Sequence, residues 1–341
     1  MPQLRNLSCI VAAAAAVLAP TPKATADDTL KVTVADKGSW ETAAPHLGQQ
    51  AGLFKKHGIV LDVSYAQSDQ DIEQPVVSGS ADVGVGVGLM DVLRAYADKD
   101  APLRIIGATM TGSANYWYVA AASPIQKAKD IGRGTIAYSK GGTAGQYDVF
   151  DFMDRNRLKA RPVLTAGETA AFDQVMAGKI DVGWATPPFG LEALAQDRIR
   201  VVAKANEIPK IRDKTVSVMI ATADALQKRG DVLGRFLQAY RETIDWMYSD
   251  PAAPKAYAEF ADLQEGLARR LRDEFFAKDM LAPDKIVGLS AIAKDATKSR
   301  YIRASMSRRE LAELVQVPSS DRSRASAKSG GWFRLLAPRS P

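Results

Sequence analysis

The chain has 341 residues, a net charge of +6, 46% hydrophobic residues, two histidines and one cysteine, a length and composition suited to one large or two medium domains with real cores. The excess positive charge sits at the ends, on Arg5 and Lys23 at one and on Arg322, Arg324, Lys328, Arg334 and Arg339 against Asp321 at the other, so the body from Asp27 to Val317 is neutral. A nucleic-acid protein would carry basic charge on its folded part, and no nucleic-acid partner is expected.

Residues 1–26 read as a signal peptide. Arg5 supplies the positive start, Ile10 to Leu18 is an apolar run too short to span a bilayer, and Ala24-Thr25-Ala26 is a cleavage site. Cleavage after Ala26 predicts an exported protein and removes Cys9, leaving no thiol for a disulfide, a nucleophile or a metal. Residues 318–341, rich in Ser, Arg, Gly and Pro, read as a disordered basic tail.

Leu30 to Ala35 is a strand of apolar and β-branched residues that runs into the loop Asp36 to Trp40. Leu47, Ala51 and Phe54 predict one helix over Thr42 to His57, with Lys55, Lys56 and His57 in its last turn and Gly58 as its cap. After a strand at Ile59 to Val63, Ser68 and Asp71 form a capping box for a helix that Pro75 must kink or restart. Val76 to Gly88 reads as helix end, closing glycine, loop and buried strand, and Val175 to Trp184 writes most of it again. Gly79, Asp82 and Gly84 recur at one constant spacing as Gly178, Asp181 and Gly183. Two copies predict two similar α/β lobes, with the ligand beyond the carboxyl ends of the strands.

After the first copy come a helix at Leu89 to Tyr96, a strand at Leu103 to Ala108 and a crossing strand at Tyr116 to Ala121. The alternation restarts with Thr135 to Tyr138 (strand), Thr143 to Asn156 (helix), Val163 and Leu164 (strand), Glu168 to Ala177 (helix), and strands at Val182 to Ala185 and Val201 to Ala203. Val216 to Ala221 is a second crossing candidate, and beyond it Val232, Phe236, Tyr240, Ile244 and Met247 mark helix. The expected plan is lobe 1 over 27–112 and 222–317, lobe 2 over 122–214, and hinge crossovers at 113–121 and 215–221. The cleft between the lobes is the default ligand site.

Five segments then carry a family resemblance: AGLFKKHGI at 51–59, VSGSADVGVG at 77–86, GRGTIAYSKGGTAG at 132–145, MAGKIDVGWATPP at 176–188 and RFLQAYRETIDWM at 235–247. Over Leu30 to about Ala261 the chain resembles the periplasmic substrate-binding proteins of ABC importers, in the nitrate, sulfonate and taurine branch that also includes binders of thiamine precursors. The resemblance implies an α/β two-lobed clamp of type II with two crossover strands as hinge. It also implies a monomer in the periplasm that captures a small solute and delivers it to a permease with its cytoplasmic ATPase.

Carried over, the solute contacts fall on Trp40, on Ser139, Gly141, Gly142 and Thr143, and on Trp184, Thr186 and Pro187. Glu192 stands near where thiamine-pyrimidine binders place a carboxylate, and His46 is kept as a candidate contact because it follows Trp40. Gly141 to Thr143 open a helix whose unpaired N–H groups and dipole favour an oxyanion by about 0.3–2 kcal/mol; without the family context the same residues are an ordinary hydroxyl-capped helix start. Lys37 and Lys140 flank the cleft. Trp40, Trp117, Tyr147, Trp184 and Phe189 near strand ends suit stacking on a planar solute, although core packing is the better reading for Trp117. The solute class stays open between a small sulfonate, nitrate or carboxylate anion and an aromatic or pyrimidine-like compound.

A secreted enzyme or a ligand sensor on the same fold is the rival. A related pyrimidine synthase uses a histidine and a cysteine-rich motif, whereas this chain has only His46 and His57 and loses its one cysteine with the signal peptide. No H-E-x-x-H or P-loop motif occurs, and after Gly84 and Gly86 a dinucleotide fingerprint would need glycine where Leu89 stands. The expectation is a non-enzymatic binder without metal or cofactor.

Overall fold

In a computed structural model of the chain, residues 27–99, 101–138 and 144–319 are described. Residues 1–26, read as a signal peptide, and residues 320–341, read as part of the tail, lie outside them. The strands are β1 (Asp28–Ala35), β2 (Ile59–Ala66), β3 (Val83–Gly88), β4 (Leu103–Thr111), β5 (Tyr116–Ala120), β6 (Thr135–Tyr138), β7 (Arg161–Leu164), β8 (Gly183–Ala185), β9 (Ile199–Lys204) and β10 (Thr215–Thr222). The α-helices up to the last strand are α1 (Ala44–Gln50), α2 (Leu53–Lys56), α3 (Asp69–Ser78), α4 (Leu89–Lys99), α5 (Ala144–Asn156), α6 (Glu168–Met176), α7 (Leu191–Ala195) and α8 (Pro209–Arg212). After β10 the chain is helical: α9 (Ala223–Ser249), α10 (Ala253–Ala261), α11 (Glu265–Phe275), α12 (Leu289–Lys298) and α13 (Arg308–Leu314).

Lobe 1 is built on a sheet of order β2-β1-β3-β10-β4, in which β1 runs parallel to β2 and β3 and β10 runs antiparallel to β3 and β4. In lobe 2, β8-β5-β9 is antiparallel, β6 and β7 are parallel, and a bridge between Ile136 and Val182 joins β6 to the start of β8. The second order is therefore β7-β6-β8-β5-β9, the first with β6 for β1, β7 for β2, β8 for β3, β5 for β10 and β9 for β4. This is the two-lobed α/β clamp that the repeat predicts.

The repeat sits at equivalent places. Gly79 closes α3 and Gly178 follows α6, both left-handed at φ 76° and 66°, a conformation that glycine adopts without a Cβ penalty. Asp82 accepts the Lys31 N–H of β1 at 2.8 Å, and Asp181 accepts the Thr135 N–H of β6 at 2.7 Å. Each carboxylate thus ties the turn to the equivalent parallel strand of its own lobe, β1 or β6.

Period-two alternation distributes the core over both faces of the first sheet. Leu30, Val32, Val34, Met219 and Ala221 pack with Leu47, Phe54, Phe236 and Tyr240 on one face, while Val218, Ile220, Leu103 and Ile105 pack with Ile72, Val92, Ile292 and Leu314 on the other. In lobe 2, Trp117, Val119, Ile136 and Val182 pack against Val149 and Phe152. Trp117 stacks on Phe152 with centroids 4.1 Å apart and is a core residue.

The structure differs from the sequence reading in four places. Gly52, left-handed at φ 75°, divides the predicted helix into α1 and α2. Pro75, by contrast, lies inside an undivided α3. The runs read as crossing strands each belong to one sheet, β5 to lobe 2 and β10 to lobe 1, because apolar alternation reports burial in a sheet but not which sheet. Between the sheets the chain passes through 112–115 and 205–214, where the Thr111 and Thr215 hydroxyls meet at 2.9 Å, fully buried. Finally, α11 does not serve lobe 1 alone: Phe275 lies 5.0 Å from the Tyr116 ring of lobe 2.

Candidate functional site

The carboxyl end of β3 faces lobe 2. Leu89 and Met90 share a small cavity of about 70 Å³ with Asp148, Asp151 and Ile211. On the lobe 2 side, a chain of hydrogen bonds links the hinge to the strand ends. Ser113 Oγ and Asn115 Nδ2 donate to Asp148 Oδ2 at 2.7 and 2.9 Å, Thr186 Oγ1 donates to Asn115 Oδ1 at 2.6 Å, and the Thr186 N–H donates to Glu168 Oε1 at 2.6 Å. Burial pushes the Asp148 carboxyl up to about 6 against the opposing pull of these donors, and burial likewise raises that of Glu168. Trp184 is partly buried, its Nε1 3.5 Å from Thr165 Oγ1, and the Pro187–Pro188 bond that follows is cis.

Trp184, Thr186 and Pro187 are thus brought together at the end of β8. The other sequence-predicted residues lie apart from them. Trp40 is fully buried: its Nε1 donates to the Tyr248 hydroxyl at 3.1 Å, and its ring stands edge-on to Tyr257 at 4.7 Å and to Tyr248 at 5.9 Å. It anchors the loop after β1 and presents no face on which a solute could stack. His46 lies on α1, stacked on Phe260 at 4.1 Å, in a cavity of about 320 Å³ that Lys37, Gln50, Tyr65 and Glu259 also line. All of that lining comes from lobe 1. Burial and then the Lys37 ammonium lower the His46 pKa. Glu192 is exposed on α7, where it accepts from Gln196 at 3.1 Å as an ordinary helix-surface pair. Ser139, Lys140, Gly141, Gly142 and Thr143 fall outside the described residues, as does the side chain of Tyr147.

The loops of lobe 1 contribute groups that sequence reasoning missed, and they are acidic. Asp36 follows β1, Glu41 precedes α1, Asp69 opens α3 and Asp91 lies in the first turn of α4. Asp69 Oδ1 accepts the Gly88 N–H at 2.9 Å, and Asp91 accepts from Arg94 and from the Tyr301 hydroxyl at 2.7 Å. Burial raises the Asp36 and Asp69 carboxyls above the usual range, and Asp91 and Asp36 push Asp69 in the same direction. Burial, then Asp36, pushes Glu41 up to about 7. A lone Glu directly after Trp40 in W-E-T-A-A-P was the only signal available, and it reads equally well as a helix-start surface residue.

The family model described as NMT1/THI5 like matches residues 41–253. No curated protein is matched by the sequence. Among solved structures, the periplasmic aliphatic sulphonate binding protein SsuA of Escherichia coli superposes with a TM-score of 0.66 at 16% identity, over 92% of this chain and 96% of that one. The alkanesulfonate-binding protein SsuA of Xanthomonas axonopodis pv. citri, bound to MOPS, gives 0.61 at 15% identity over 86% and 100%. DszB, a variant in complex with biphenyl-2-sulfinic acid, gives 0.64 at 14% identity over 86% and 97%. At these identities the likeness is one of fold.

Proposed function

The chain belongs to the NMT1/THI5-like family, and we propose from that premise that it is the periplasmic solute-binding component of an ABC importer, working with a membrane permease and its cytoplasmic ATPase. The observation that carries this reading is the pair of lobes with one strand order, joined at 112–115 and 205–214, with the residues after β3 meeting Asp148 and Asp151 of lobe 2 at a small cavity. Closing such lobes over a solute buries it without any covalent step. The sulfonates named for the two SsuA proteins support a solute with a small anionic group, and in this chain the contacts for that group belong to lobe 2, beside Trp184, Thr186 and Pro187. Trp184, partly buried, also supports the aromatic alternative. DszB keeps an enzymatic reading on the same fold in view, and turnover of a bound compound is its test.

The experiment is thermal unfolding of the chain from Asp27 against alkyl and aryl sulfonates, nitrate, bicarbonate, aromatic carboxylates and pyrimidines. A ligand at a hundred times its Kd adds about 2.7 kcal/mol of stability, and for a chain of this size raises the midpoint by roughly 5–8 °C. A cognate permease reconstituted with liganded protein should then hydrolyse ATP faster. A shift without that stimulation would favour a ligand sensor.

A further inference from the structure

The hydrogen-bond polarity at the carboxyl end of β8 is set by Asp148. Pushed up to about 6 by burial, its carboxyl is ionised at pH 8 and only accepts. Its Oδ2 takes Ser113 Oγ at 2.7 Å and Asn115 Nδ2 at 2.9 Å, which turns the Asn115 amide with its NH2 toward Asp148 and its carbonyl toward Thr186. The Thr186 hydroxyl, 2.6 Å from Asn115 Oδ1, therefore gives its one proton to that carbonyl, and the Thr186 N–H goes to Glu168 Oε1 at 2.6 Å. Both donors of Thr186 are spent inside the protein. What remains for an incoming molecule is acceptors: the lone pairs of Thr186 Oγ1 and the second carboxyl oxygen of Glu168, which makes no hydrogen bond among the described residues. Thr186, Glu168 and Asn115 each keep part of their surface open to solvent, as does Trp184 two residues before Thr186. An oxyanion brings only acceptors of its own, finds no proton on Thr186 and is repelled by an ionised Glu168. A group with N–H protons and positive charge meets matched partners there.

We propose that Glu168 and Thr186 form an acceptor-only contact that selects a solute with a charged N–H group, of amidine, guanidine or amine type, and excludes an oxyanion from the end of β8. This rests on the solute-binding reading and makes Glu168 the specificity-determining residue there, with Asn115 and Asp148 as positioning residues that act through Thr186. Any anionic group on the same molecule would take its donors elsewhere in lobe 2.

The test uses the chain from Asp27, unfolded and refolded to strip bound compounds, titrated calorimetrically at pH 8 with two pairs of matching planar shape and opposite polarity: guanidinium against nitrate, and benzamidine against benzoate. The expected result is saturable binding of at least one of the two cations, tighter than its paired anion. Glu168→Gln is the deciding variant, because its amide oxygen still accepts the Thr186 N–H while the other carboxyl oxygen becomes an NH2 donor. It should weaken the cation about tenfold to a hundredfold, the range of a lost hydrogen bond to a charged group, and should weaken neither anion. Thr186→Val should weaken the cation by a smaller factor. A Glu168 that only braces the turn after β8 would leave the ratio of cation to anion affinity unchanged in Glu168→Gln, and that result would overturn the assignment. Binding of an anion with no binding of either cation would overturn it as well and leave solute capture standing. Failure of all four compounds would also count against it, and a thermal shift with one of the sulfonates or pyrimidines would then still uphold capture.

Discussion

At the start of β3, Asp82 takes the Lys31 N–H and a guanidinium from Arg229, while at the start of β8 Asp181 takes the N–H and the hydroxyl of Thr135. The two carboxylates do one job with different second partners. At the other end of the same strands the lobes part company. Lobe 1 carries Asp36, Glu41, Asp69 and Asp91 in its loops, and lobe 2 carries the Thr186–Asn115–Asp148 chain of hydrogen bonds. The amino ends of β3 and β8 are scaffold, built to the same plan because each must close a helix onto a parallel strand. The carboxyl ends are free of that demand, and it is there that we propose the solute is recognised.

Glu41→Gln should give the largest effect. Its folded pKa of about 7 lies above the unfolded value, so the folded state holds the proton over a range where the unfolded chain has released it. Stability contributed by this group therefore falls as pH rises from about 4.3 to about 7. The amide should remove that loss, leaving the variant on the order of 3–4 kcal/mol more stable than wild type at pH 8 and close to it at pH 4.5. Urea unfolding at the two pH values checks this, and equal stability at both would show that Glu41 is not held in an enclosed site.

Gly183→Ala tests the scaffold side. A Cβ there would stand 2.3 Å from Tyr118 Cζ, whereas one at Gly84 would stand 2.7 Å from a methyl of Ile72. Overpacking costs about 1–3 kcal/mol. The Gly183 variant should lie at the upper end, since a buried ring moves less readily than a methyl, and the Gly84 variant below it. Asp181→Ala and Asp82→Ala should each cost about 1–2 kcal/mol through the backbone N–H left without its acceptor. Similar costs would support the equivalence of the two turns, and a large disparity in denaturant midpoints would break it. The smallest effect is expected from Thr186→Val, about 1 kcal/mol for the lost bond to Asn115, and solute affinity should fall with it if lobe 2 contributes contacts there.

Much of this frame was legible in advance. Gly79 and Gly178 announced left-handed helix ends, and Asp82 and Asp181 fell at equal spacing after them, so the internal repeat and the two lobes could be read from residue types alone. Gly52 was not legible as a helix break because Leu47, Ala51 and Phe54 keep helical spacing across it. The sheet membership of β5 and β10 was hidden for a related reason: an apolar strand looks the same in either lobe. In the candidate site, Thr186 and Pro187 were singled out through the P-P turn. Trp40 was misread because a large aromatic after a strand serves a core and a cleft equally well, and only its contacts with Tyr248 and Tyr257 decide for the core. Asp148 was missed because the significance of a carboxylate lies in what surrounds it, and tertiary packing alone brings Ser113 to its side.

The central claim is capture without chemistry, and the most direct measurement is native mass spectrometry of the chain from Asp27, mixed with the compound that gives the largest thermal shift and followed by recovery of that compound after denaturation. The account predicts one solute per chain, released with its mass unchanged after prolonged incubation. Recovery of a compound of altered mass, formed in more than one equivalent per chain, would contradict it and make the protein an enzyme on this fold.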